Sequence, residues 1–165
     1  MIGASAVKAD AAEAGSVKDD AAEVDARRLP AVCVEEAVVF PDRIEFLVRL
    51  APDVQLRTTP QLVEAVLQRH PYLLEHACRN DVGPTFGAVA CNTPLAHLLE
   101  HVAVDIQTRA AADRQQTRST TVFMGTTERV GDDPRRARIR LSMSSDVECF
   151  AAMKQAVALL NELLS

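Results

Sequence analysis

Arg43-Ile44-Glu45-Phe46-Leu47-Val48-Arg49-Leu50 has the two-residue period of a β-strand, with Ile44, Phe46, Val48 and Leu50 all on one side. Such a segment has one face to bury, so it belongs to a sheet with a core on that side. The Val-rich run at residues 32–40 precedes it and is joined to it through Pro41-Asp42, so the two read as a hairpin. A second pair of strands is expected at residues 119–124 and 137–143, around Gly131-Asp132-Asp133-Pro134. There Ile139, Leu141 and Met143 would point inward, and Arg138, Arg140 and Ser142 outward.

Helical periodicity fills the space between the two pairs. Thr59-Pro60 supplies a cap and a first-turn proline, and Leu62, Val63, Val66 and Leu67 continue a helix until Pro71. A second, short helix is expected at residues 72–79, then a loop at residues 80–87 with two glycines and a proline. Thr93-Pro94 caps a long helix that runs to about Asp113. The chain closes with an amphipathic helix at residues 146–164, using Val147, Phe150, Val157, Leu160 and Leu164. The order strand, strand, helix, helix, helix, strand, strand, helix is α+β. It predicts a four-stranded, mainly antiparallel sheet covered on one face by helices. Periodicity alone does not give the order of the strands.

At 165 residues, 48% of them hydrophobic and 25% charged, the chain suits one domain, over residues 29–165. Trp is absent and aromatics are few, so Val, Leu, Ile and Ala must build the core. Residues 1–28 stand apart. Val7-Lys8-Ala9-Asp10-Ala11-Ala12-Glu13 returns almost unchanged as Val17-Lys18-Asp19-Asp20-Ala21-Ala22-Glu23, an acidic, Ala-rich repeat expected to be a disordered tail. Its acidity argues against a mitochondrial-type leader. A formal charge of -5 argues against nucleic acid as a partner. The dense cluster Arg135, Arg136, Arg138 and Arg140 reads as a solvated turn and strand face rather than a phosphate site. Four cysteines, Cys33, Cys78, Cys91 and Cys149, form no Cys-x-x-Cys pair, and no apolar run resembles a signal peptide or a membrane span. Reduced thiols in the cytoplasm, away from membranes, are the expectation.

The long helix carries the chemistry. His97-Leu98-Leu99-Glu100-His101 reads His-x-x-Glu-His, the inverted zinc-hydrolase signature. Residues three and four apart share a helix face, so His97, Glu100 and His101 project together. Leu95, Leu98, Leu99, Val102 and Ile106 form an apolar stripe on the other side. Two imidazoles one turn apart suit a tetrahedral zinc ion, and Glu100 can serve as general base toward a bound water. An ordinary solvated helix face also carries histidine and glutamate, so the surroundings must decide.

The run Thr93, His97, Glu100, His101, Val102, Ala103, Asp105 and Gln107 resembles the N-terminal domain of cyanophycin synthetases. Pro71-Tyr72-Leu73-Leu74-Glu75-His76-Ala77-Cys78 is similar to that family's Leu-Pro-x-Leu-x-x-His-x-Cys segment, and Gly83 to Gly87 sits where its Gly-Gly-Phe loop would be. Ala96 departs from the family's usual Gly. The likeness runs from about Pro52 onward and fades after Gln107. In the family this domain precedes an ATP-grasp ligase and a Mur-ligase-like domain. Neither is expected here, nor is a Walker-type loop present, so the resemblance implies a free-standing relative of the accessory domain. That domain's helix is similar to that of pitrilysin-type zinc peptidases, and it is linked to cutting the polymer, a poly-aspartate backbone with arginines on its side chains.

The resemblance to pitrilysin-like sites implies a glutamate from a later helix as third ligand, which would be Glu148. Ser145-Asp146-Val147-Glu148 is equally a capping box, and both readings of Glu148 stand. Glu128, Asp146 and His76 are other donors to consider. Asp105, at an acidic position of the family, could orient His101 or be a plain helix charge. Cys78, two residues after His76, is read as a small buried hydrophobe. Two functions follow. One is a zinc-dependent hydrolase cutting an amide bond of cyanophycin or a related peptide polymer. The other is a non-catalytic binding or scaffold module that associates with a synthetase-type ligase or its polymer.

Overall fold

The computed structural model describes residues 29–114 and 122–165; the expected tail at residues 1–28 lies outside them. Strands β1 (Val32–Val39), β2 (Arg43–Leu50), β3 (Gly125–Arg129) and β4 (Arg136–Ser142) form one sheet in the order β1-β2-β4-β3, every pairing antiparallel. Helices α1 (Pro60–Leu67), α2 (Leu95–Arg114) and α3 (Asp146–Leu163), with three short 3-10 turns between α1 and α2, complete the α+β fold.

The hairpin forms as its pattern requires. Val32 faces Leu50 and Val39 faces Ile44, with an irregularity in register between Val34 and Glu36. Ile44, Phe46, Val48 and Leu50 are buried, while the alternate residues of β2 face an open side. There Arg43, Arg138 and Arg140 pair with Glu45 and Glu128, so Arg138 and Arg140 of the basic cluster belong to a solvated strand face. Helices α2 and α3 cover the other side of the sheet. The side chain of Asn161 on α3 both accepts from Val32 N (2.7 Å) and donates to Val32 O (2.9 Å), completing the backbone pairing at the start of β1.

Several boundaries differ from expectation. The third strand lies at Gly125–Arg129, not at residues 119–124, of which 119–121 lie outside the described residues. As an edge strand it has one neighbour, and its register follows from pairing Gly125 with Leu141 and Arg129 with Ala137. The helix expected at residues 72–79 is one 3-10 turn, Leu73–Glu75. Beyond it the chain extends to make the Ala77–Thr85 bridge. Helix α1 has its Thr59 cap and first-turn proline but ends at Leu67 rather than at Pro71. In α3 the buried side is Cys149, Ala152, Met153, Ala156 and Leu160; Val147 is 72% exposed, and Phe150 meets Phe46 edge-on only at the rim.

Helix α2 starts after Pro94, whose carbonyl accepts from His97 N and Leu98 N. Its stripe of Leu95, Leu98, Leu99 and Val102 is fully buried. Glu100, His101 and Asp105 on the polar side are each only 5% exposed, so α2 is covered on both sides. A buried polar face must find partners within the protein, and those partners make the site.

Candidate metal centre and its cleft

All four histidines of the chain gather around α2. His97 and His101 leave the helix one turn apart with ring centroids 4.9 Å from each other. Cys78 comes to them from the extended segment after the 3-10 turn, its backbone held by Cys78 N donating to Pro84 O. Its Sγ lies 3.4 Å from His97 Nε2. One ligand atom each from Cys78, His97 and His101 fall within 4.8 Å of one another, a cluster that could hold a metal ion. A thiolate and two imidazoles are a soft donor set of the kind that suits a tetrahedral ion with one position open.

The hydrogen bonds around this cluster accommodate the tautomers that metal ligation requires. His97 Nδ1 is 2.7 Å from Thr93 Oγ1; with Nδ1–H donating there, Nε2 keeps its lone pair toward Cys78. Thr93 therefore serves the imidazole rather than a backbone amide at the start of α2. On His101 a longer chain does the same. His70 Nδ1 lies 2.6 Å from Asp105 Oδ2, and His76 Nε2 lies 3.3 Å from Asp105 Oδ1. With His76 Nε2–H donating to the carboxylate, His76 Nδ1 can accept from His101 Nδ1 at 3.5 Å, leaving His101 Nε2 unprotonated. Asp105 thus reaches His101 through His76 rather than directly.

Electrostatics favour the same protonation states. Burial, then the neighbouring His97 and His76, push His101 down to about 3, and burial lowers His97. Both shifts favour the neutral imidazole, the form that ligation requires. Burial opposes ionisation of Asp105, but the hydrogen bonds to His70 and His76 outweigh it and hold the carboxyl well below its ordinary range.

Phe86 completes the enclosure. Its ring stacks on His101 at 4.1 Å between centroids and meets His97 edge-on at 5.4 Å. The loop that carries it therefore lies against the motif helix, as its place in the sequence suggests. Glu100 takes a different neighbour: Thr127 Oγ1 donates to its Oε2 at 2.6 Å. A Cβ on Gly125 would stand 2.6 Å from both Glu100 Cγ and Oε1, so β3 begins with glycine where this carboxylate fills the space. Burial pushes the Glu100 carboxyl up to about 7, tempered by the Thr127 hydrogen bond.

Glu100, His76, Cys78, His97 and His101 line one cleft of about 1240 Å³ between α2 and the β3–β4 side of the sheet. Glu148 is placed elsewhere: it lines a small cavity of about 80 Å³ with Ile106 and Gln107. The side chain of Ser145 makes no capping hydrogen bond, so that half of the expected capping box is absent. Glu128 pairs with Arg138 and Arg140 on the open face of the sheet, and Asp146 accepts from Val147 N. Of the alternative donors, only His76 adjoins the cluster, and the third position beside the two histidines is taken by Cys78. The His76-x-Cys78 pair is the signal in the sequence that points there; nothing in the sequence singles out Phe86, Gly125 or Thr127. Among the described residues no helix is long and apolar enough to cross a membrane. No family model matches the chain, and no curated protein matches it.

Proposed function

We propose that this protein is a zinc-dependent hydrolase that cuts an amide bond of cyanophycin or a related peptide polymer. The observation that carries the reading is the convergence of Cys78, His97 and His101 within 4.8 Å, in one cleft with the carboxylate of Glu100. Zinc is the ion we assign because the donors are one sulfur and two imidazole nitrogens, the mixture that zinc favours over harder cations. When bound, the ion supplies Lewis acidity to the water and the scissile carbonyl.

The chain's own residues supply the rest. Glu100, with a carboxyl near neutrality, is matched to take a proton from the attacking water and return it to the leaving amine. The Thr127 hydroxyl holds one of its oxygens, and Gly125 leaves room for the other. Thr93 and the Asp105–His76 pair keep both histidines in the ligand tautomer, while Phe86 covers their rings.

The test is metal content of the purified full chain, followed by cleavage of a cyanophycin-like polymer. Zinc at one per chain, lost in Cys78→Ala and His97→Ala, with cleavage abolished by Glu100→Gln, is the expected result. Protein that takes up no zinc on titration overturns the reading. Protein that holds zinc, binds the polymer and cuts nothing would leave the binding or scaffold role in its place.

A further inference from the structure

Two groups of arginines on the sheet side of the protein contrast in their partners. On the open face of the sheet, Arg43, Arg49, Arg138 and Arg140 each have a glutamate oxygen within 3.7 Å. The cleft is different. Arg57, Arg79, Arg129, Arg135 and Arg136 line it, and among the described residues Glu100 is the one carboxylate in its lining. Among the described residues, Arg136 alone of these five has an acidic partner, Glu35 at 2.8 Å.

The other four keep their charge uncompensated among the described residues. Arg57 donates to the side-chain and main-chain oxygens of Asn92. Arg135 donates to the carbonyls of Ala51 (2.6 Å) and Val54 (2.8 Å). Neutral partners hold these guanidinium groups in place without cancelling them, which is preorganisation for an anion. Arg79 and Arg129 are exposed and have no partner among the described residues. In a chain of formal charge -5, so much unpaired positive charge along one cleft runs against the average.

We infer that the cleft binds a peptide chain presenting closely spaced carboxylates, with Arg57, Arg79, Arg129 and Arg135 as the groups that select it. The inference rests on the cleft being the substrate site of the proposed hydrolase and, of the substrates named there, favours a related peptide polymer with free carboxylates over cyanophycin, whose aspartates carry arginines. A nucleic acid fits less well. Among the described residues Phe123 is the sole Phe, Tyr or Trp ring along the cleft and is itself buried, so no exposed ring of these types is offered to a base. Apolar residues such as Leu50, Leu56 and Val104 fill the spaces between charges, which suits a peptide backbone with short acidic side chains.

The experiment separates binding from turnover. Fluorescence anisotropy of the full-length Glu100→Gln protein is measured with labelled oligo-aspartate, an uncharged peptide, oligo-lysine and a single-stranded DNA oligonucleotide. Oligo-aspartate should bind tightest and weaken as salt is raised. Arg79→Gln combined with Arg129→Gln should lose about tenfold in affinity, and Arg57→Gln about three- to tenfold. Arg138→Gln, on the opposite face, should leave binding unchanged. Oligo-aspartate binding no tighter than the uncharged peptide overturns the inference. So does tighter binding of DNA, or an equal loss in Arg138→Gln. If wild-type protein binds oligo-aspartate in this way yet hydrolyses no peptide, the inference stands and the hydrolase reading falls.

Discussion

Cys78 Sγ lies 3.4 Å from His97 Nε2 across 19 residues of intervening sequence. That contact, rather than one from α3, brings a third candidate donor to the two histidines. Cys78→Ala should therefore weaken zinc binding by more than the roughly 10–100-fold that loss of an outer-shell partner costs. Glu148→Gln should leave it unchanged. Competition with a chromogenic chelator measures both, and the reverse outcome would return the third position to Glu148.

Gly125 leaves no room for a side chain. A methyl group at that position would press on Glu100 Cγ as well as on Oε1, so rotating the carboxylate alone does not relieve the contact. Gly125→Ala should cost about 1–3 kcal/mol of stability and displace the carboxylate. Cleavage should fall while zinc content stays near wild type. Metal analysis, thermal denaturation and a polymer assay on one preparation check this; full activity would remove Glu100 from the reaction.

Asp105 acts at a distance through His76. Asp105→Asn keeps the shape but no longer fixes the His76 tautomer, so zinc affinity should drop about 10–100-fold. Adding His76→Ala to it should cost little more, since both changes break one chain of hydrogen bonds. Additive losses in the double-mutant cycle would show that the two residues act separately.

In metal-free protein, the Glu100 carboxyl moves from an ordinary 4.5 up to about 7. A folded pKa above the unfolded one gives stability that is whole below about 4.5 and lost as pH rises through about 7. Glu100→Gln lacks that loss. Relative to wild type, it should gain roughly 2–3 kcal/mol between about pH 5 and about pH 8, one pKa unit being worth about 1.4 kcal/mol. His101, held at about 3 instead of 6.5, has the opposite sign: its contribution is whole above 6.5 and declines as pH falls toward about 3. Urea denaturation of the two metal-free proteins measures the difference. A pH-independent difference would mean that Glu100 is hydrated.

What the sequence disclosed was what depends on neighbours along the chain. The alternation of Ile44, Phe46, Val48 and Leu50 fixes the inner face of β2, and the three- and four-residue spacing of His97, Glu100 and His101 puts them on one helix face. Gly125–Arg129 has no apolar pattern because an edge strand is ordered mainly by its partner. The buried side of α3 lies where Cys149 and Met153 point, and Val147 and Phe150 mislead because their apolar character belongs to an exposed flank and to a rim contact. In the centre itself, Cys78, His76 and His70 arrive from segments upstream of α2, and only tertiary folding brings them to it.

The gathering of His70, His76, His97 and His101 also has a spectroscopic consequence. Because the chain contains these four histidines and no others, every imidazole resonance in its NMR spectrum reports on this one network. No assignment is needed to know that a shifted imidazole signal comes from this part of the molecule. Zinc titration followed on the imidazole nitrogens would thus show ligation at His97 and His101 and the tautomers of their supporting partners in a single set of spectra.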